Sequence, residues 1–392
     1  MRGSVVKRGD SYAVVIELDR DPITGKRRQK WHSGYKNKKA AERALTELLA
    51  AKDKGVYVPK SRQTISEYVE EWLAAIKPTV RESTHYSYGR NLRLHVVPHI
   101  GSAPLAAVDA GTLNQLYAAL LADGRKDHAG GGLSPRTVRY IHTIVHKALK
   151  DAVRWGRLAR NPADAADPPK AGEASRPESI TWTADQLRTF LEGTRSSRHR
   201  TAYLLLATTG MRRGEALGLR WRDLDLDGGR ASIRQTVIAV RHTAMLGTPK
   251  TAKGRRTVTL DSGTLAALRE HRKNQAAERL LIGSGWRDND LVFCHVDGTM
   301  LHPERFTRGF SEAVHRLGLP AIRLHDLRHG WATLALQAGV HPKVVQERLG
   351  HANIGITLDT YSHVVAGLHD DAAEQVAALF RSPVSNPLAE ST

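Results

Sequence analysis

His325-Asp-Leu-Arg328-His329, then Leu349-Gly350-His351, then Asp359-Thr360-Tyr361 is the run of sequence that decides how this chain folds and acts. Far upstream, Thr209-Gly-Met-Arg212-Arg-Gly-Glu215 supplies a matching arginine. Two arginines, two histidines and a tyrosine suit one chemistry, in which a phosphodiester is held by its non-bridging oxygens while a phenol attacks its phosphorus. A guanidinium presents a planar fork to two phosphate oxygens and keeps its charge at any working pH, which fits Arg212 and Arg328. His325 and Arg328 are three apart, so on a helix they share a face and one phosphate can meet both. Tyr361, with an ordinary pKa of about 10, is mostly phenol at neutral pH, so cations and a base beside it must favour the phenolate. Glu215, three residues after Arg212, sits where it can pair with that arginine or orient His325, a supporting role.

In this order and spacing, from Arg212 to the C-terminus, the motifs resemble the active site of tyrosine recombinases, the phage integrase family. The resemblance implies that Arg212 and Arg328 grip the non-bridging oxygens and that Tyr361 is the nucleophile. It makes His325 a hydrogen-bonding or proton-transferring partner of the tyrosine. His351 falls where the family holds His or Trp and donates to the scissile phosphate. Lys250 lies in Thr248-Pro-Lys-Thr-Ala-Lys-Gly-Arg-Arg256, between strand-like residues 231–240 and 256–260. It looks like the family's β-hairpin lysine, the general acid for the 5′-oxygen leaving group, and Lys253 flanks the same turn as the alternative. His329 and His363 are read as supporting residues. The implied reaction gives a 3′-phosphotyrosine and a free 5′-hydroxyl, conserving the bond energy without ATP, metal or any other cofactor.

The composition points to the same partner. Lys and Arg number 59 against 40 Asp and Glu, a formal charge of +19 that attracts polyanions at long range. The single cysteine, Cys294, excludes an intrachain disulfide and a Cys-based zinc site, and it suits a reducing compartment. No stretch approaches the roughly 18 apolar residues of a membrane span, so a cytoplasmic, nucleoid-associated protein is expected.

The length of 392 residues implies two or three domains, and the reading is a multidomain α+β chain. Residues 1–60 read as a small β-sheet-plus-helix domain: residues 11–18 and 27–33 are strand-like and residues 38–51 have helical spacing. They carry 15 Lys and Arg against 7 Asp and Glu, and resemble an arm-type DNA-binding domain. Residues 62–165 read as an all-α domain. Thr64-Ile-Ser-Glu67 is a capping box, and Ser134-Pro135 opens a helix to residue 158 with one apolar face. On its other side Arg136, Arg139, Lys147, Lys150 and Arg154 are candidate DNA contacts, as the resemblance to a core-binding domain implies. Residues 166–179, rich in Pro, Ala and Gly, read as a linker. Residues 180–392 read as a mainly α catalytic domain with a small β-sheet or hairpin. Its apolar stripe of Val365, Leu368, Ala372, Val376 and Leu379 matches the family's C-terminal segment, which docks on a neighbouring protomer.

The expected function is site-specific cleavage and rejoining of double-stranded DNA at core and arm attachment sites. A tetramer assembled on DNA would integrate or excise a phage or other mobile element, with accessory DNA-bending or directionality proteins as further partners. Two other readings keep the same residues: a type IB topoisomerase-like nicking-closing enzyme, and a DNA-binding regulator of the same fold without catalysis. A metal-dependent nuclease would need carboxylates clustered at the phosphate site, and the Asp and Glu residues show no such grouping.

Overall fold

The computed structural model describes residues 3–18, 20, 24–53, 61–127, 130–173, 180–248, 254–358, 377 and 380. The chain divides into two compact units, Met1–Arg176 and Pro177–Thr392.

The first unit begins with three antiparallel strands, β1 (Gly3–Arg8), β2 (Ser11–Leu18) and β3 (Arg28–Tyr35), with β2 in the centre. Only β2 and β3 are expected from the sequence. Helix α1 (Lys38–Asp53) packs on the sheet, so that Val14, Ile16 and Ala41 are buried together and Leu45, Leu48 and Leu49 close over them.

Helices α2 (Ile65–Ile76), α3 (Glu82–Asn91), α4 (Val97–Ile100), α5 (Ala110–Asp123) and α6 (Pro135–Arg154) follow. The Thr64 capping box closes in both directions: Thr64 Oγ1 accepts from Glu67 N at 3.2 Å, and Thr64 N donates to Glu67 Oε2 at 2.8 Å. The apolar stripe of α6 (Val138, Ile141, Ile144, Val145, Ala148, Leu149 and Ala152) is buried, as the 3.6-residue period requires. Helix α2 meets it with Tyr68 and Trp72. Their polar tips are satisfied on α6, by Ala148 O at 2.6 Å and Asp151 Oδ2 at 2.8 Å. Residues after α6 are fastened to the same body. Asp167 exchanges two hydrogen bonds with Asn114, and Arg139 donates to Pro169 O at 2.8 Å.

The second unit opens with α7 (Ala184–Gly193), whose Thr183 and Gln186 form another capping box. Then come α8 (Arg200–Thr209), α9 (Arg213–Leu217), β4 (Leu224–Asp225), β5 (Arg230–Ile233), β6 (Thr236–Val240), β7 (Thr243–Gly247) and β8 (Arg256–Thr259). Helices α10 (Ser262–Ile282), α11 (Pro303–Arg316), α12 (Asp326–Gln337) and α13 (Pro342–Leu349) follow, and residues 354–358 are again helical. The core is aromatic at its centre: Trp182, Phe190, Tyr203, Phe306 and Phe310 interlock, with Phe190 and Phe310 ring centroids 5.1 Å apart.

The strand expected over residues 231–240 is two strands. Strand β5 belongs to a β4-β5-β8 sheet and β6 to a hairpin with β7. The break falls at Arg234-Gln235, where the side-chain amide of Gln235 donates from Nε2 to Gly218 O at 2.9 Å. Gly218 also lies so close to the backbone of Thr236 that a β-carbon there would sit 2.9 Å from Thr236 Cα. The hairpin turn is Arg241-His242, and Lys250 and Lys253 come later in the chain, between β7 and β8.

Among the described residues no helix is long and apolar enough to cross a membrane, and no three His, Cys, Asp or Glu side chains gather as a metal site.

Candidate active site

Helix α8 ends at Gly210, whose φ of +65° is the left-handed conformation that stops a helix and that glycine adopts without strain. The chain reverses and Arg212 becomes the N-cap of α9. Glu215, in the first turn of that helix, accepts from Arg212 N at 3.0 Å and from Arg212 Nη1 at 2.8 Å. A carboxylate there is also favoured by the helix dipole. The Arg212 side chain remains 42% exposed, so its guanidinium is braced on one side and open on the other.

Arg328 enters from the first turn of α12 and is only 3% exposed. Its Nη1 donates to Gly210 O and its Nη2 to Leu349 O, both at 2.7 Å. Two carbonyls from distant parts of the chain thus fix the plane of the fork. The second comes from the end of α13, where Gly350, at φ +67°, is the left-handed C-cap. Gly350 O in turn lies 3.5 Å from Arg212 Nη2. Three elements therefore converge on two guanidiniums.

His325 is the N-cap of α12, edge to face with His329 at 5.2 Å. His351 follows Gly350, and its Nδ1 is 2.8 Å from Thr357 Oγ1. Withdrawal from water, and then the charges of His329, Arg328 and Arg212, push the His325 imidazole down to about 4. Water reaches its exposed face and moderates that shift. Burial first, and then Arg328, Arg212, His329 and Arg256, take His351 down to about 4 as well. Both rings are neutral at neutral pH, each able to donate from one nitrogen and accept at the other. An anion between the arginines would oppose the same charges and raise both values.

Beneath this layer lies an arginine that the sequence reading did not single out. Arg256, the first residue of β8, donates to Glu215 Oε1 at 3.2 Å and to Oε2 at 2.9 Å. Burial would raise the Glu215 carboxyl, but hydrogen bonds and charge from Arg256, with Arg212 adding to them, hold it below the usual carboxylate range. The only sequence signal for Arg256 is its place at the start of an expected strand.

The structure brings Arg212, Glu215, His325, Arg328 and His351 into one cluster. Lys250, Lys253, Tyr361, His363 and the stripe from Val365 to Leu379 lie outside the described residues. On α6, Arg136 and Lys150 are exposed. Lys147 and Arg154, 3.8 and 3.0 Å from the Asp151 carboxylate, and Arg139, bonded to Pro169 O, are each engaged within their own unit.

Three family profiles match the chain in succession: an arm DNA-binding domain over residues 4–52, a phage integrase N-terminal SAM-like domain over 64–120, and the phage integrase family over 181–367. A tyrosine recombinase XerC-like protein of Caldanaerobacter subterraneus subsp. tengcongensis is 28% identical over 96% of this chain and 98% of its own. An integrase of Streptomyces ambofaciens is 28% identical over 94% of each chain. The ICEBs1 integrase of Bacillus subtilis is 26% identical over 93% of this chain and 96% of its own. Among solved structures, the Tn1549 transposon integrase in complex with a circular intermediate DNA shares the fold with a TM-score of 0.65 at 21% identity, over 81% of this chain and 99% of that one. A lambda integrase dimer bound to a core site does so at 0.56 and 16%, over 91% and 94%. By these likenesses, and in keeping with its braced arginine pair, the chain belongs to the tyrosine recombinase family, the phage integrases, and is a site-specific DNA recombinase.

Proposed function

We propose that the chain cleaves and rejoins duplex DNA at attachment sites through a 3′-phosphotyrosine, integrating or excising a phage or other mobile element. The observation that supports this most is the pairing of Arg212 and Arg328, held by Glu215 and by the carbonyls of Gly210, Leu349 and Gly350. Such bracing keeps both forks in place before substrate arrives, so charge on the phosphorane is stabilised without reorganisation. Tyr361 Oη attacks phosphorus and the bond to the 5′-oxygen breaks. His325, neutral and at the mouth of the site, is suited to take the phenol proton or to hold the phenolate oxygen. His351 donates to a non-bridging oxygen, and Lys250, or Lys253 beside it, gives its proton to the departing 5′-oxygen.

In this reading residues 1–60 bind arm sites, residues 62–165 form the core-binding domain, with Arg136, Arg139, Lys147, Lys150 and Arg154 toward DNA, and residues 180–392 carry out catalysis. The solved relatives include lambda integrase as a tetramer bound to a Holliday junction. A tetramer on DNA is the corresponding assembly here, with the stripe of residues 365–379 docking on a neighbour. Accessory DNA-bending or directionality proteins set the outcome, and the protein works in the cytoplasm on nucleoid DNA. An arm-type domain ahead of the helical one favours recombination over simple nicking and closing.

The test is Tyr361→Phe. Nicked duplexes tiled across the DNA that flanks the gene trap a covalent complex when cleavage releases a short strand. Wild-type protein gives a denaturant-stable, protease-sensitive adduct and the Phe variant gives none. An adduct with the Phe variant would show that another residue is the nucleophile.

A further inference from the structure

Three consecutive carbonyls at the end of α13 each accept a hydrogen bond from a different arginine: Arg348 O from Arg256 Nε at 2.6 Å, Leu349 O from Arg328 at 2.7 Å, and Gly350 O from Arg212 at 3.5 Å. Arg212 and Arg328 are candidate phosphate ligands, and Arg256 is the third member of the set. Its Nε, Nη1 and Nη2 all donate within the protein, to Arg348 O and to the two oxygens of Glu215, which makes it a support for the site and not one of its phosphate ligands.

We propose that Arg256 is a positioning residue for strand cleavage: by sharing the Glu215 carboxylate it keeps Arg212 available to the phosphate, and by holding Arg348 O it fixes the turn that presents His351. The proposal rests on the recombinase reading above. Each oxygen of Glu215 is divided between the two arginines. Oε1 accepts from Arg212 Nη1 at 2.8 Å and Arg256 Nη1 at 3.2 Å, and Oε2 from Arg212 N at 3.0 Å and Arg256 Nη2 at 2.9 Å. A buried carboxylate must be compensated, and what it takes from one cation depends on what another supplies. Without Arg256, Glu215 would draw the Arg212 fork inward and compete with the phosphate for it. The turn at 348–350 would lose its fixed point at the same time. Arg256 therefore acts on two groups at once while touching no reacting atom.

The experiment uses the full chain and the tiled nicked duplexes, and compares wild type with Arg256→Gln, Arg256→Lys, Glu215→Gln and the Arg256→Gln/Glu215→Gln double variant. Single-turnover adduct formation gives the rate of chemistry, and gel shift on the same duplexes gives affinity. Partners that orient an active residue cost about 10- to 100-fold when removed, so Arg256→Gln is expected to slow the adduct by that factor with affinity within about twofold of wild type. The double variant is expected to be faster than Arg256→Gln alone, because with the carboxylate neutral Arg212 is no longer drawn inward. Arg256→Lys, which keeps the charge and loses the fork, should fall between wild type and Arg256→Gln.

An Arg256→Gln variant as fast as wild type overturns the proposal. So does a double variant no faster than the single, since a purely structural arginine would not be rescued by neutralising its partner. If Arg256→Gln does not fold, the lysine variant decides: a wild-type rate, or rate and affinity lost in parallel, counts against the proposal. If wild type itself forms no adduct, it is the recombinase reading that fails, whereas a wild-type adduct with unaffected Arg256 variants overturns this inference alone.

Discussion

Gly210→Ala tests whether the arginine cluster depends on backbone shape. At φ +65° an alanine meets the left-handed penalty, about 1–2 kcal/mol. Its β-carbon would also sit 2.7 Å from Leu349 Cδ2 and 3.1 Å from Trp331 Cε3, in a packed core where overfilling costs about 1–3 kcal/mol. The expected loss is therefore about 2–5 kcal/mol, a large share of the 5–15 kcal/mol of a typical domain. Gly339→Ala is the control. Gly339 has φ +78° and nothing within 4 Å of its would-be β-carbon, so only the backbone penalty of about 1–2 kcal/mol applies. Two compact units need not unfold in one transition, so the measurement is local: hydrogen exchange of the peptide spanning residues 205–217, with urea unfolding in parallel. Gly210 O is a partner of Arg328, so Gly210→Ala should also slow adduct formation while Gly339→Ala does not. Leu349→Ala in the Gly210→Ala background should cost less than the two single losses together, because the clash is removed. A Gly210→Ala variant within about 0.5 kcal/mol of Gly339→Ala and equal in cleavage would refute the reasoning.

The remaining predictions concern charge and capping. Followed by NMR and assigned through His→Gln variants, His351 should titrate near 4 and His325 below its ordinary value in the free protein, and both at higher pH once a DNA phosphate is bound; titration of both near 6.5 without DNA would count against the crowding described. Because these folded values lie below the unfolded one, the unfolded chain binds protons first. The stability they contribute is whole above about pH 6.5 and is lost as pH falls toward about 4, which urea midpoints across that range will show. Arg136→Ala and Lys150→Ala should each reduce the salt dependence of DNA binding by about one unit of slope without altering site preference, and an unchanged slope would remove them from the interface. Thr64→Ala should cost about 1 kcal/mol through loss of the cap, read from exchange in the first turn of α2, and a neutral result would mean that the cap is redundant.

What could be read from the sequence was either local or compositional. The Thr64 and Ser134 caps sit where expected because a cap bonds within three residues, and the α6 stripe is visible because its period is that of the helix it forms. Strand β1 escaped notice because Gly3–Arg8 has two adjacent valines and no alternation; its strand character comes from pairing with β2. The break at Arg234-Gln235 was hidden for a similar reason, since Gly218, which the chain contacts there, lies in another part of the sequence. At the site, the motifs and the family they resemble single out Arg212, His325, Arg328 and His351, which the fold brings together. The sequence does not show that Arg328 is buried against two carbonyls, nor that Glu215 serves two arginines, because main-chain acceptors carry no letter of their own and Arg256 is 41 positions from Glu215.

The shared carboxylate also sets the electrical balance of the site. Arg212, Arg256 and Arg328 bring three positive charges and Glu215 one negative, while the two imidazoles are neutral at neutral pH, leaving a surplus of two. A phosphodiester arrives with a single negative charge and becomes doubly negative as a fifth oxygen closes on phosphorus. The phenol proton stays in the site, on His325 in the mechanism above, so the total charge is unchanged; what grows is the negative charge on the phosphoryl oxygens that face Arg212 and Arg328. Attraction then grows along the reaction coordinate, where binding accelerates chemistry, and relaxes when the adduct or the rejoined strand must be released.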